Sequence, residues 1–320
     1  MSITDLPDVS VMAAPIYILL IAVEIVLLSR LGRGEEVRKD LWVNLAMGTG
    51  NAVSALFLFG GVAALFLLAW EFRIADLGLS WWSFLFAMVA KDFTYYWTHR
   101  LQHRIRWGWA SHVVHHSSQG YNLSTALRQP WFGFLTGTYV LGLPWVFLGV
   151  HPALYALAGG LNLFYQFFIH TQSVKRLPAP IEWLFNTPSH HRVHHATNPQ
   201  YLDTNYGGIL IVWDRLFGTF EPEDDEDPCD FGLVSNITTK NPALVASHEY
   251  IAIARDATGK GLSPIERFRY LFAPPGYSHD GSRLTTAEIK ARAGKGAPSR
   301  LREGETALMS GASHKGAPAP

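Results

Sequence analysis

The chain alternates long apolar runs with short charged interruptions, and each run has the length of a membrane-crossing helix. After a polar start with Asp5 and Asp8, residues 11–29 are apolar apart from Glu24. A helix needs about 20 such residues to cross the hydrocarbon core, so this run predicts a first span. Nothing basic precedes it and it is long for a leader, so it reads as a retained anchor. Glu24 lies near its end and is expected to snorkel. Arg30 to Asp40 is a charged loop, and Leu41 to Trp70 forms a second run. Thirty helical residues reach about 45 Å, beyond a hydrocarbon core of about 30 Å, so this helix must tilt, protrude or break. Gly48-Thr49-Gly50 and Gly60-Gly61 are the weak points. Trp81-Trp82 opens a third run with a pair suited to an interfacial belt. Residues 131–150 and 152–170 predict spans four and five.

Composition agrees with this pattern. Hydrophobic residues make up 48% of the 320 and charged ones 16%, against about 25% charged in soluble domains. Lys+Arg and Asp+Glu both total 26, and no nucleic-acid partner is expected. The single cysteine, Cys229, rules out an intrachain disulfide and a thiolate metal cluster. Arg30, Arg33, Arg38 and Lys39 follow span one, Arg100, Arg104, Arg106 and Arg128 follow span three, and Lys175 and Arg176 follow span five. The opposite side holds only Arg73. The positive-inside rule then puts the N-terminus outside. The expected fold is an all-α, polytopic membrane helical bundle with a cytoplasmic helical cap carrying a histidine-rich dimetal site. Residues 1–80 would hold the N-terminal spans and 81–235 the catalytic region. Residues 236–278 would form a cytoplasmic segment. Residues 279–320, rich in Gly, Ala, Ser, Pro and charge, read as a disordered tail.

Histidine supplies the chemistry. His191, His194 and His195 follow H-x-x-H-H spacing, as do His112, His115 and His116, while His99 and His103 follow H-x-x-x-H. Residues i, i+3 and i+4 share a helix face, so each box presents its rings together. Neutral imidazole suits iron, zinc and copper. His170, at the end of span five, makes a ninth candidate, and the count fits two ions at four or five ligands each. All boxes fall on one predicted side, as a single site requires. Gln166 lies one turn before His170. His190 adjoins the third box, though its spacing favours His191 as the ligand. Asp92, two turns before His99, is placed to hydrogen-bond a ligand ring and fix its tautomer. Tyr95 and Tyr96 read as packing. Asn122, Arg128 and Asn205 are loop polar groups, open between orienting a substrate or cofactor and holding their loops. His151, His248, His279 and His314 look incidental.

These motifs carry a resemblance. Asp92-Phe93-Thr94-Tyr95-Tyr96-Trp97-Thr98-His99-Arg100, Trp109 to Ser118, Tyr121 to Gln129, Asn186 to His195 and Asn205 to Phe220 resemble the fatty acid hydroxylase and sterol desaturase superfamily of membrane di-iron enzymes. Within it the likeness is nearest to alkylglycerol monooxygenase-type members. The resemblance implies two iron ions held by His99, His103, His112, His115, His116, His170, His191, His194 and His195, with dioxygen as co-substrate. It implies hydroxylation of a membrane lipid whose chain enters between spans. The reductant stays open between tetrahydrobiopterin and an electron-transfer protein arriving from the cytosol. A lipid or sterol desaturase of the same superfamily is the alternative. A histidine-lined metal transporter fits less well, because its ligands would lie near the bilayer midplane. Haem needs only one or two axial histidines.

Overall fold

The computed structural model describes residues 9–294. Among them the fold is helical, with only two isolated bridges, Phe185–Leu210 and Ala196–Phe231. Four long helices make a bundle: α1 (Val9–Arg30), α2 (Gly34–Glu71), α3 (Trp81–Arg104) and, later in the chain, α6 (Pro152–Ile169). α6 packs against both α3 and α1, and α1 against α2. Small residues, Ala87 and Ala90 on α3 and Ala158 on α6, are buried. Such residues let backbones approach where lipid offers no hydrophobic drive. Large apolar side chains face outward, among them Leu56, Phe57, Trp81 and Trp82. By length and composition two stretches suffice to cross a membrane, Met12–Arg30 and Asp40–Leu58.

α2 does not break. Its 38 residues extend about 57 Å, and its first turns lie beside the histidine boxes. Gly48 and Gly50 serve close approach. A Cβ on Gly48 would lie 2.9 Å from the Leu127 carbonyl oxygen, and one on Gly50 would overlap the Trp131 indole. Residues 127–131 therefore lie flat on the helix. Glu24 does not snorkel. It is buried and accepts hydrogen bonds from Leu123 N at 2.6 Å and from the Thr171 hydroxyl.

Residues 131–150 are not the expected helical span. They form 3₁₀ turns over Gly133–Thr136 and Thr138–Gly142 and then the short α5 (Leu143–Phe147). Gly133, Gly137 and Gly142 interrupt the run, Gly137 with φ +68°, and Pro144 lacks a donor. The segment still travels the height of the bundle. Trp131 Nε1 donates to Met47 O at 3.2 Å at one end, and Ile74 N to Phe147 O at 2.8 Å at the other.

The cap contains α4 (Arg106–His116), α7 (Ala179–Leu184), α8 (Pro188–His195), α9 (Val212–Leu216), α10 (Pro242–Ala257), α11 (Pro264–Phe272) and α12 (Thr286–Ala293). Trp183 on α7 is exposed. α12 corrects the reading of residues 279–320 as wholly disordered. A Thr285–Glu288 capping box starts this helix, and Ile289 is buried. Residues 295–320, with His314, lie outside the described residues.

Candidate metal centre

Four elements deliver the nine imidazoles. α3 carries His99 and His103, α4 carries His112, His115 and His116, His170 caps the C-terminus of α6, and α8 carries the rest. An extended Ile105 breaks α3 from α4 and lets the chain double back. Pro188 opens α8, whose Thr187 and His190 form a reciprocal cap. The rings fall into two groups, each with ligand atoms within 4.8 Å of one another. One group holds His99, His103, His112, His116 and His194; the other holds His115, His170, His191 and His195. Each H-x-x-H-H box is thus divided between the groups. The i, i+4 pair of α4 enters the first group and its i+3 ring the second. α8 does the reverse, sending His191 and His195 to the second and His194 to the first.

The ring nitrogens converge as metal ligands would. Nε2 of His99 lies 2.8 Å from Nε2 of His112, which lies 3.1 Å from Nε2 of His116. In the second group His170 Nε2 is 3.1 Å from His115 Nε2 and 2.9 Å from His191 Nε2, which is 3.2 Å from His195 Nε2. Two ligands about 2.1 Å from one ion and at right angles to each other stand about 3.0 Å apart. One proton per ring serves only one contact, yet Nε2 of His112, His170 and His191 each meets two. Nε2 of His103 and His194 are buried with no partner. A cation in each group would satisfy these lone pairs together. Outer nitrogens of several rings are oriented by protein oxygens, while Nδ1 of His115 and of His191 is buried without a partner. His99 Nδ1 donates to Tyr206 O and His194 Nδ1 to Thr204 O, both at 2.9 Å, and His170 Nδ1 donates to Gln166 O at 2.6 Å. Protonation at Nδ1 leaves Nε2 free to ligate. Burial, reinforced by neighbouring rings, holds His112, His115, His116, His191, His194 and His195 well below the ordinary imidazole value. They are therefore neutral, as ligation requires.

Residues 84–219 match the sequence model of the family described as fatty acid hydroxylase. Through this region the chain belongs to the fatty acid hydroxylase family. It is 35% identical to human alkylglycerol monooxygenase over 311 residues, 93% of this chain and 66% of that protein. It is 40% identical to the Danio rerio alkylglycerol monooxygenase over 74% of this chain and 53% of that one. An ornithine lipid hydroxylase of Rhizobium tropici is 29% identical over 47% of this chain and 45% of its own. The chain thus spans roughly half to two thirds of the alkylglycerol monooxygenases it matches. No solved structure matches it.

Several residues around this fatty acid hydroxylase centre do other work than the sequence suggests. Asp92 bonds to no histidine. It accepts from Asn162 Nδ2 at 2.7 Å, Ile209 N at 2.7 Å, Leu210 N at 3.1 Å and Trp213 Nε1 at 2.9 Å. It therefore anchors the loop after Tyr206, because its carboxylate reaches the backbone of that loop and not a ring. Gln166 orients His170 through its backbone carbonyl, while its side chain donates to Asn162. His190 joins neither group; its Nε2 lies 2.9 Å from Glu182 Oε2. Arg128 is buried and donates to Val114 O and Ser117 Oγ at 3.0 Å, holding the end of α4. Asn122 caps the 3₁₀ turn Leu123–Leu127, and Asn205 ties Glu221 to the His190 carbonyl. Both therefore hold loops.

Sequence reasoning missed the loop 203–206. Asp203 Oδ1 lies 3.3 Å from His103 Nδ1, and Thr204 and Tyr206 supply the carbonyls on His194 and His99. Asp203 and Asn205 have φ of 56° and 55°, a conformation that Asp and Asn tolerate. Asp214 fixes the loop by accepting from Tyr206 N and Gly207 N at 2.7 Å. The Asp-Thr-Asn turn was the available signal. Tyr121, also missed, lies tilted against His195 with ring centroids 5.0 Å apart and donates to Ile169 O. Of the incidental histidines, His151 caps α6, His248 meets Val245 O and His279 meets the Tyr270 hydroxyl.

Proposed function

We propose that the chain is a membrane-bound non-haem di-iron monooxygenase that hydroxylates a lipid. The observation that carries this reading is the division of nine imidazoles into groups of five and four with converging Nε2 atoms. The likeness to alkylglycerol monooxygenases over most of the chain supports a lipid with an ether-type head group. Iron, when bound, supplies dioxygen activation and insertion of one oxygen atom into a C–H bond. The five-ring group would hold one ion and the four-ring group the other. Asp203 and the carbonyls of Thr204, Tyr206 and Gln166 hold the rings in their ligating orientation. Tyr121 and Trp109 pack against the rings and limit water.

The placement is part of the same reading. The bundle would cross the membrane several times, with the boxes and cap in the cytoplasm, reached by an electron donor from the cytosol. Basic residues crowd the box end, and Arg73 alone stands at the other. The test is turnover of a membrane ether lipid with labelled dioxygen and a reductant. One ¹⁸O atom should enter the product, trapped at once by reduction if it is an aldehyde. Two irons per chain should accompany activity, and His194→Ala should abolish turnover while the protein still inserts. Label arriving from water would mark hydrolysis and end the reading. A new double bond without label would mark a desaturase.

A further inference from the structure

A cavity of about 370 Å³ opens against the five-histidine group, within the range of small-ligand sites. Its inner wall includes His103, His116 and His194 from that group, and its outer wall comes from residues 232–237, α10 and residues 275–289. That outer wall lies wholly outside the family-matched region, 84–219. Of the four buried histidine ring nitrogens without partners among the described residues, two, Nε2 of His103 and of His194, belong to residues of this wall. Elsewhere apolar side chains, including Val113, Ile237, Ala252 and Ile289, alternate with polar ones such as Asn236 and His248. The charged groups at its edge are already paired. Arg106 binds Glu249 and Asp256, each at 2.7 Å, and Arg283 binds Asp256 at 2.7 Å. These pairs clamp the outer wall to α4, and Asp203, also in the lining, is engaged with His103 at 3.3 Å and Arg104 at 3.8 Å, so each of these charged groups already has a partner.

We propose that the substrate segment bearing the carbon to be oxidised sits in this cavity, an uncharged and mainly apolar stretch of the lipid. Residues 232–289 then select the substrate, and the reacting carbon approaches the five-histidine group from the cap side. This rests on the lipid monooxygenase reading, and it differs from entry between the spans. Ala252 is the selecting position, because it lines the cavity from α10, outside the segments that carry the nine imidazoles.

The test compares Ala252→Leu and Ala252→Trp with Leu244→Trp, an exposed position on the same helix away from the cavity. The substrate is 1-O-hexadecylglycerol, and a version with a diazirine in its chain serves for photolabelling. Iron content and elution as folded protein should match wild type in all three. KM should rise in graded order, by about tenfold or more for Ala252→Trp, with kcat much less changed. Leu244→Trp should behave as wild type. Photolabelled peptides of the wild-type protein should come from residues 232–289. Wild-type KM in Ala252→Trp, together with labelling confined to α1, α2 and α3, would overturn the inference while leaving the monooxygenase reading intact. A wild-type protein that neither binds nor oxidises the lipid would defeat both.

Discussion

Asp92→Asn separates two roles for the one carboxylate on α3. The substitution keeps shape and removes charge. In the native arrangement Oδ1 accepts from Asn162 Nδ2 and Ile209 N, and Oδ2 from Leu210 N and Trp213 Nε1. The new amide can present only one oxygen, so two of four donors face an NH₂ group. A buried donor stripped of its partner costs about 1–3 kcal/mol, so the variant should lose about 2–5 kcal/mol of stability. The loss should be local first, because two of the four donors are backbone amides of residues 209 and 210. Hydrogen exchange in detergent, read by mass spectrometry, should show faster exchange over 205–214, with unfolding at lower temperature. Iron should fall only in proportion to the loosened loop, since Asp92 touches no ring. Native loop protection and native stability combined with loss of iron would refute the anchor role and restore a direct contact with a ligand.

Two further outcomes follow from the charges. The imidazoles of α4 and α8 are held below their ordinary value by burial, so their contribution to stability is present above about pH 6.5 and is lost as pH falls. On the acid side the unfolded chain takes up protons that the buried rings refuse; the unfolding temperature of chelator-stripped protein should therefore fall between about pH 7 and pH 5, and a flat profile would contradict it. For orientation, Asp76→Cys should react with an impermeant thiol reagent added outside cells and Lys175→Cys should not, both in a Cys229→Ala background. The reverse pattern would overturn the cytoplasmic placement of the boxes.

The sequence made the clustering of the rings readable because imidazoles at i, i+3 and i+4 share a helix face. All nine candidates fall in the two groups. It could not show that each box is divided, since that depends on how α4 and α8 approach each other and not on the face within one helix. Asp92 was visible as an intramembrane carboxylate, but its partners include main-chain amides more than a hundred residues away. Carbonyls carry no residue signature, so the orienting roles of Gln166, Thr204 and Tyr206 were hidden. The misread span at 131–150 has the opposite cause. Hydropathy recorded its apolar content, while Gly133, Gly137, Gly142 and Pro144 decided its backbone.

The loop that orients the rings also sets a schedule for the site. His99 and Tyr206 are 107 residues apart, and ribosomes add about 5–20 residues each second, so about 5–20 s separate their synthesis. A chain halted just after His195 would own all nine clustered imidazoles and lack Asp203, Thr204 and Tyr206. Its rings would be present but free to turn, offering nitrogen to whichever metal arrived. Ordered rings therefore require residues 203–206, made within eleven positions of His195, and a metal that arrived before the loop closed would meet rings still free to turn.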